Sequence, residues 1–125
     1  MQIKEFVDQF ISQAREASNG ILAITVVDFE TGSSLGNYSE GSLDPEVASQ
    51  YNLDVVRAKL KAVDALGLED QIDDILITLT TQYHLISCTT NNSHMIYLAA
   101  DKSKSNLAML RSILSKAKRG LQTAL

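Results

Sequence analysis

Side chains able to do chemistry are few in this sequence, and their spacing decides what each can do. His84 and Cys88 fall in one run, Tyr83–Thr90. A histidine base beside a thiol is the arrangement of a cysteine nucleophile. In an extended strand His84, Ile86 and Cys88 share a face, and two pleat repeats of about 7 Å each separate base from thiol. That is too far for direct proton transfer, so Cys88 reads as a buried structural thiol. His84 sits on a strand and His94 in a turn, with no second pair of ligands at metal spacing. Both read as structural or surface histidines. The acidic cluster Glu69, Asp70, Asp73 and Asp74 does not match the spacing of a calcium-binding loop and reads as a solvated connection. Asp28 and Glu30 flank a tight turn. There is no GxxxxGK[ST] to cradle phosphates, no GxGxxG and no HExxH. The expectation is a protein that is not an enzyme, with no catalytic residue, no cofactor and no metal.

Composition sets the frame around these groups. The chain has 125 residues, 45% hydrophobic and 21% charged, which suits one soluble domain over residues 1–125. A single cysteine excludes an intramolecular disulfide and points to a reducing compartment, the cytoplasm. No run approaches the roughly 20 apolar residues of a membrane span, so no membrane insertion is expected. MQIKEFVDQF carries early acids and helical periodicity, unlike a signal peptide. Net charge is −4, but six basic residues and no acid fall after Asp101. That stretch reads as a solvated helix face. Without aromatic residues interleaved among the basic ones, nucleic acid is excluded as a partner.

Periodicity places the elements. Ile3, Phe6, Val7, Phe10, Ile11, Ala14 and Ala17 make one apolar stripe and predict a helix over residues 2–18. ILAITVVD (21–28) is a strand, Phe29-Glu30-Thr31-Gly32 a hairpin turn, and the polar run Ser33–Ser39 a return strand at a sheet edge. Ile75–Thr81, Tyr83–Thr90 and Met95–Ala100 read as a β-meander. The last of these is apolar on both faces, as a central strand should be. Ser103 or Ser105 is the expected cap of a last helix. Leu107, Leu110, Leu114, Ala117, Leu121 and Ala124 form its buried stripe, joined by Ile113 and Leu125. The order is α-β-β-α-β-β-β-α, an α+β fold.

The middle helix differs from the other two. Asp44 and Pro45 start it and Gly67 stops it. At 100° per residue, Val47, Ala48, Tyr51, Val55, Ala58, Ala62, Ala65 and Leu66 fall on one side. Leu53, Val56, Leu60 and Val63 form a second stripe. Asp54, Arg57, Lys61 and Asp64 lie on the polar arc, where they are candidates for touching a partner. One stripe can lie on the domain's own sheet. The other, taken as Leu53, Val56, Leu60 and Val63, has no obvious cover. Exposing four aliphatic side chains forgoes roughly 1.5–3 kcal/mol each. A second chain is the simplest cover; loop 39–43 or a helix end folding over it is the alternative.

The assembled pattern resembles the roadblock/LC7 family, most closely its stand-alone prokaryotic branch. NGILAITVVDFETG (19–32) is similar to the family's helix end, first strand and hairpin. DILITLTTQYHLIS (74–87) is similar to its third and fourth strands. MIYLAADKSKSNLAMLRSIL (95–114) is similar to the fifth strand passing into the last helix. The resemblance implies a roadblock/profilin-like, five-stranded antiparallel sheet in order 2-1-5-4-3. It also implies two helices on one face and the middle helix on the other. Family members form homodimers by pairing third strands edge to edge and packing middle helices together. This implies an interface of Leu53, Val56, Leu60, Val63, Ile75, Ile77 and Leu79. Members serve as adaptors or as regulators of Ras-like small GTPases, some stimulating hydrolysis, and that partner is implied here. No residue stands out as an arginine finger. The competing readings are a small-molecule sensor, which needs a sizeable pocket, and an interaction module without a GTPase partner.

Overall fold

Residues 2–124 are described by a computed structural model. In chain order the elements are α1 (Ile3–Ala17), β1 (Ile21–Asp28), β2 (Ser34–Ser39), α2 (Pro45–Ala65), β3 (Ile75–Thr78), β4 (Gln82–Cys88), β5 (His94–Asp101) and α3 (Leu107–Ala124). A 3-10 turn, Lys102–Lys104, precedes α3. The expected contribution of Leu125 to the last helix lies outside the described residues.

The strands form one antiparallel sheet in the order β2-β1-β5-β4-β3. β5 is central because it is apolar on both sides; every residue from His94 to Ala100 is buried. Ile24, Val26, Leu85, Ile96 and Leu98 face α1 and α3, where they meet Val7, Phe10, Leu110 and Leu121. The opposite face presents Ala23, Val27, Ile86, Met95 and Tyr97 to Leu53 and Val56 of α2. This is the α+β architecture of two helices against one across a shared sheet.

Local chemistry sets most element ends. The β1–β2 turn is closed by the Gly32 amide donating to the Asp28 carbonyl at 2.8 Å. The Asp28 carboxylate accepts from the Thr31 amide at 2.9 Å and its hydroxyl at 3.1 Å. Those bonds hold Asp28 below the usual carboxylate range. Asp44 caps α2 by accepting from the Glu46 and Val47 amides. At the other end the Leu68 amide donates to the Val63 carbonyl and the Gly67 amide to that of Asp64. With Gly67 at φ +68° this is a Schellman stop.

Several expected boundaries shift: β4 runs Gln82–Cys88 rather than Tyr83–Thr90, and His94, expected in a turn, opens β5. β3 ends at Thr78, not Thr81, because the Leu79 amide donates to the Gln82 carbonyl at 2.9 Å and turns the chain. The cap of α3 is neither Ser103 nor Ser105. Asn106 Oδ1 accepts from the Met109 amide at 3.0 Å, while Asp101 accepts from the Ser103 amide and holds the 3-10 turn.

Candidate functional site

The groups with chemical potential do not assemble into a reactive site. Burial pushes the Cys88 thiol up to about 11, so it stays protonated and inert at neutral pH. His84 is half-buried on β4. Its Nε2 lies 2.7 Å from Gln82 Oε1, and its Nδ1 lies 3.4 Å from the Tyr97 hydroxyl. The two rings meet edge to face, 5.6 Å between centroids. Burial lowers the His84 pKa below its ordinary value and raises that of Tyr97 to about 12. Both are neutral near pH 7, and the trio packs one side of the sheet. His94 is buried, its Nδ1 2.8 Å from Ser93 Oγ. Among the described residues no three His, Cys, Asp or Glu side chains converge as metal ligands. The acidic cluster is in part structural: Arg111 of α3 grips Asp74 through two bonds, 3.0 and 3.2 Å. That pair fixes the segment entering β3.

What stands out instead is an uncovered apolar surface on the α2 side. The stripe expected to lack a cover is the wrong one. Leu53 and Val56 are 1% and 2% exposed, packed on the chain's own sheet. Leu60 and Val63 are half-buried on the same inward side, and Leu60 packs on the same cluster. Leu53 and Val56 are therefore covered within the chain itself rather than left for a partner. The bare side chains belong to the other stripe: Tyr51 is 71% exposed, Leu66 68%, Val47 53% and Val55 37%. The sequence carried a signal for this. The inward stripe holds only large aliphatics, whose burial gains most. The outward stripe is rich in alanine and carries Tyr51, an amphipathic ring of the kind enriched at interfaces.

The rotation of α2 is held by polar bonds from one flank. Gln50 Nε2 donates to the Gly32 carbonyl at 3.3 Å, and Arg57 Nη2 to the Phe29 carbonyl at 3.0 Å. The Arg57 guanidinium also sits 5.4 Å from the centre of the Phe29 ring and 3.7 Å from Asp54. Arg57 is thus engaged with the β1–β2 turn, whereas Asp54, Lys61 and Asp64 are exposed. The bare stripe lies on the side of α2 turned away from the sheet.

β3 lies at the sheet edge, hydrogen-bonded to β4 alone. Ile75 and Ile77 register with Ile86 and His84, which places them on the α2 side. Both are half-buried, and Leu79 just beyond the strand is 43% exposed. An unpaired four-residue edge and a bare helical stripe thus share one side of the molecule. A cleft of about 600 Å³ lies elsewhere, as a surface trench between α1 and α3. It is not an internal pocket beside the sheet, so it gives the sensor reading no support.

Sheet order, strand directions and helix placement together define a roadblock/LC7-type fold. No protein-family model matches the sequence, and no curated protein matches it. Solved structures match it along nearly all its length. Myxococcus xanthus MglB superposes with a TM-score of 0.81 at 10% identity, covering 98% of this chain and 92% of that one. The gliding protein MglB from Thermus thermophilus gives 0.81 at 9% identity, covering 99% and 91%. A roadblock/LC7 domain from Streptomyces avermitilis gives 0.78 at 12% identity, covering 93% and 94%. At such identities the likeness is one of fold.

Proposed function

We propose that this chain is a non-catalytic, homodimeric regulatory scaffold that binds a Ras-like small GTPase in the cytoplasm. The observation that carries the proposal is the bare stripe of α2 beside the open edge of β3. Two copies brought together by a two-fold axis can pair their β3 edges antiparallel and pack Val47, Tyr51, Val55 and Leu66 against each other. Ile75, Ile77 and Leu79 lie along that seam. Covering the four α2 side chains removes from water the largest apolar exposure on this side. The roadblock-type fold and the family resemblance support the choice of a GTPase partner. Asp54, Lys61 and Asp64, exposed along α2, are its contacts; Arg57 is already engaged within the chain and is not a free finger. Such a scaffold acts by holding the partner's own switch loops rather than by adding a catalytic group.

Sedimentation of the purified chain gives the first test, with twice the monomer mass expected. Titration against a small GTPase encoded nearby, loaded with either GDP or a non-hydrolysable GTP analogue, gives the second. Nucleotide-dependent binding is expected. A chain that stays monomeric at high concentration removes the basis for the dimer, and equal indifference to both nucleotide states removes the regulatory role.

A further inference from the structure

On the sheet face opposite α2, α1 and α3 run antiparallel. The start of α1 meets the end of α3, where Phe6 lies on Gly120. A Cβ at Gly120 would stand 2.3 Å from the Phe6 ring, so any larger residue there would have to displace that ring. Glycine there costs about 1 kcal/mol against alanine. Despite that close approach the outer sides of the two helices do not meet, and the trench of about 600 Å³ runs between them. Phe10, Ala14 and Ala117, all buried, form its floor, and half-buried Phe6 and Ile113 form its walls.

Its lips are asymmetric. α1 contributes uncharged Gln9 and Gln13, and α3 contributes exposed Lys116 and Arg119. Among the described residues no carboxylate side chain lines the trench. Neither cation joins an ion pair among the described residues. Residues 102–125 carry six basic side chains and no acid, whereas the rest of the chain carries five basic and fifteen acidic ones. Among the described residues this trench combines an apolar channel with a lip of two cations that join no ion pair.

We infer that the trench docks an acidic amphipathic helix from a partner protein, about three turns long. Length follows from α1: the eleven steps from Phe6 to Ala17 at about 1.5 Å each give roughly 16 Å of channel. Two neighbouring helices offer a groove into which the apolar ridge of a third can fit, with anchors at i, i+3 or i+4, and i+7. Charge selects among such helices. Glutamates flanking the anchors meet Lys116 and Arg119, while a basic helix would set like charge against them. The surface is on the far side of the sheet from α2. Occupancy therefore does not require the pairing proposed above, and a dimer would carry two such trenches.

The test uses the full chain and a labelled helical peptide of about four turns, with leucines at i, i+3, i+4, i+7 and i+11 and glutamates elsewhere. A second peptide has lysine for every glutamate, and phosphatidylserine vesicles form a third arm. Fluorescence anisotropy is expected to show the glutamate peptide binding at least about tenfold more tightly than the lysine peptide. Amide shifts in the NMR spectrum should fall on residues 6–17 and 113–120. The K116E/R119E variant, changed only at exposed positions, should reverse the preference while keeping its mass and unfolding midpoint. Equal affinity for both peptides, or shifts on α2 or β3, would overturn the inference. So would binding to the vesicles alone, since the ligand would then be a lipid surface. None of these outcomes depends on whether the chain sediments as a dimer.

Discussion

On one face of the sheet α1 and α3 lie side by side; on the other α2 lies alone. Five strands spaced about 4.8 Å apart make a sheet some 24 Å wide, and one helix with its side chains covers about 10 Å of it. Two helices nearly close a face, and one leaves more than half of it to be closed by something else. The consequences differ in kind. The α1–α3 face buries Ile24, Leu85, Leu98, Leu110 and Leu121 completely. The α2 face buries its β1 and β5 half but leaves Ile75, Ile77 and His84 only half-buried. The sheet on the two-helix face is covered within one chain, with the trench left between the outer sides of its helices, and the one-helix face leaves sheet and helix uncovered, where pairing of two copies is favourable. α2 embodies the contrast within a single helix, since Leu53 is 1% exposed and Tyr51, two residues earlier, 71%.

The sharpest way to break this comparison is to exchange the roles of those two residues. Leu53→Ala should cost about 2–5 kcal/mol of unfolding free energy, as for other buried leucines. Urea denaturation followed by circular dichroism would read this, and a loss near zero would mean that Leu53 is not core. Tyr51→Ala should leave the fold of each chain in place but weaken self-association by about 2 kcal/mol, roughly thirtyfold in Kd. Sedimentation equilibrium measures that, and an unchanged Kd would remove the α2 stripe from the interface. Smaller still, Asp44→Ala should lower stability by about 1 kcal/mol through loss of the α2 cap. Because the cap sits outside both stripes, its thermal midpoint should fall with little change in self-association once the folded fraction is accounted for.

The weakest effect is a pH dependence that sharpens what half-burial means. His84 has its folded-state pKa depressed by burial below the ordinary 6.5. Above about pH 6.5 the ring is neutral in both folded and unfolded chains and contributes no slope. As pH falls below that value the unfolded chain takes the proton first, and stability declines until the folded pKa is passed. Unfolding free energy measured across this window should fall in the wild type and fall less in His84→Gln. Equal slopes would show that His84 is not desolvated.

Much of the architecture was readable from periodicity. The eight elements, β1 from Ile21 to Asp28, the Asp44–Pro45 start of α2 and its stop at Gly67 follow from local rules, because caps, turns and strand alternation are short-range. So does the central place of β5, whose residues are apolar on both faces. The C-terminal end of β3 and the true cap of α3 did not follow. The hairpin bond from Leu79 to Gln82 and the choice of Asn106 over two nearby serines depend on where the chain must turn, which propensity alone leaves degenerate.

The candidate site shows the same division more clearly. By itself the sequence determined that α2 carries two apolar stripes, because a step of 100° per residue fixes the angle between any two side chains of one helix. It did not determine which stripe points inward, since periodicity leaves the rotation of the whole helix about its axis undefined. Only the tertiary structure decided that, through Gln50 bonded to the Gly32 carbonyl, Arg57 bonded to the Phe29 carbonyl, and Leu53 and Val56 seated among Ala23, Met95 and Tyr97. Those contacts join residues far apart in the chain. They turned the stripe of large aliphatics down onto the sheet and left Val47, Tyr51, Val55 and Leu66 facing out.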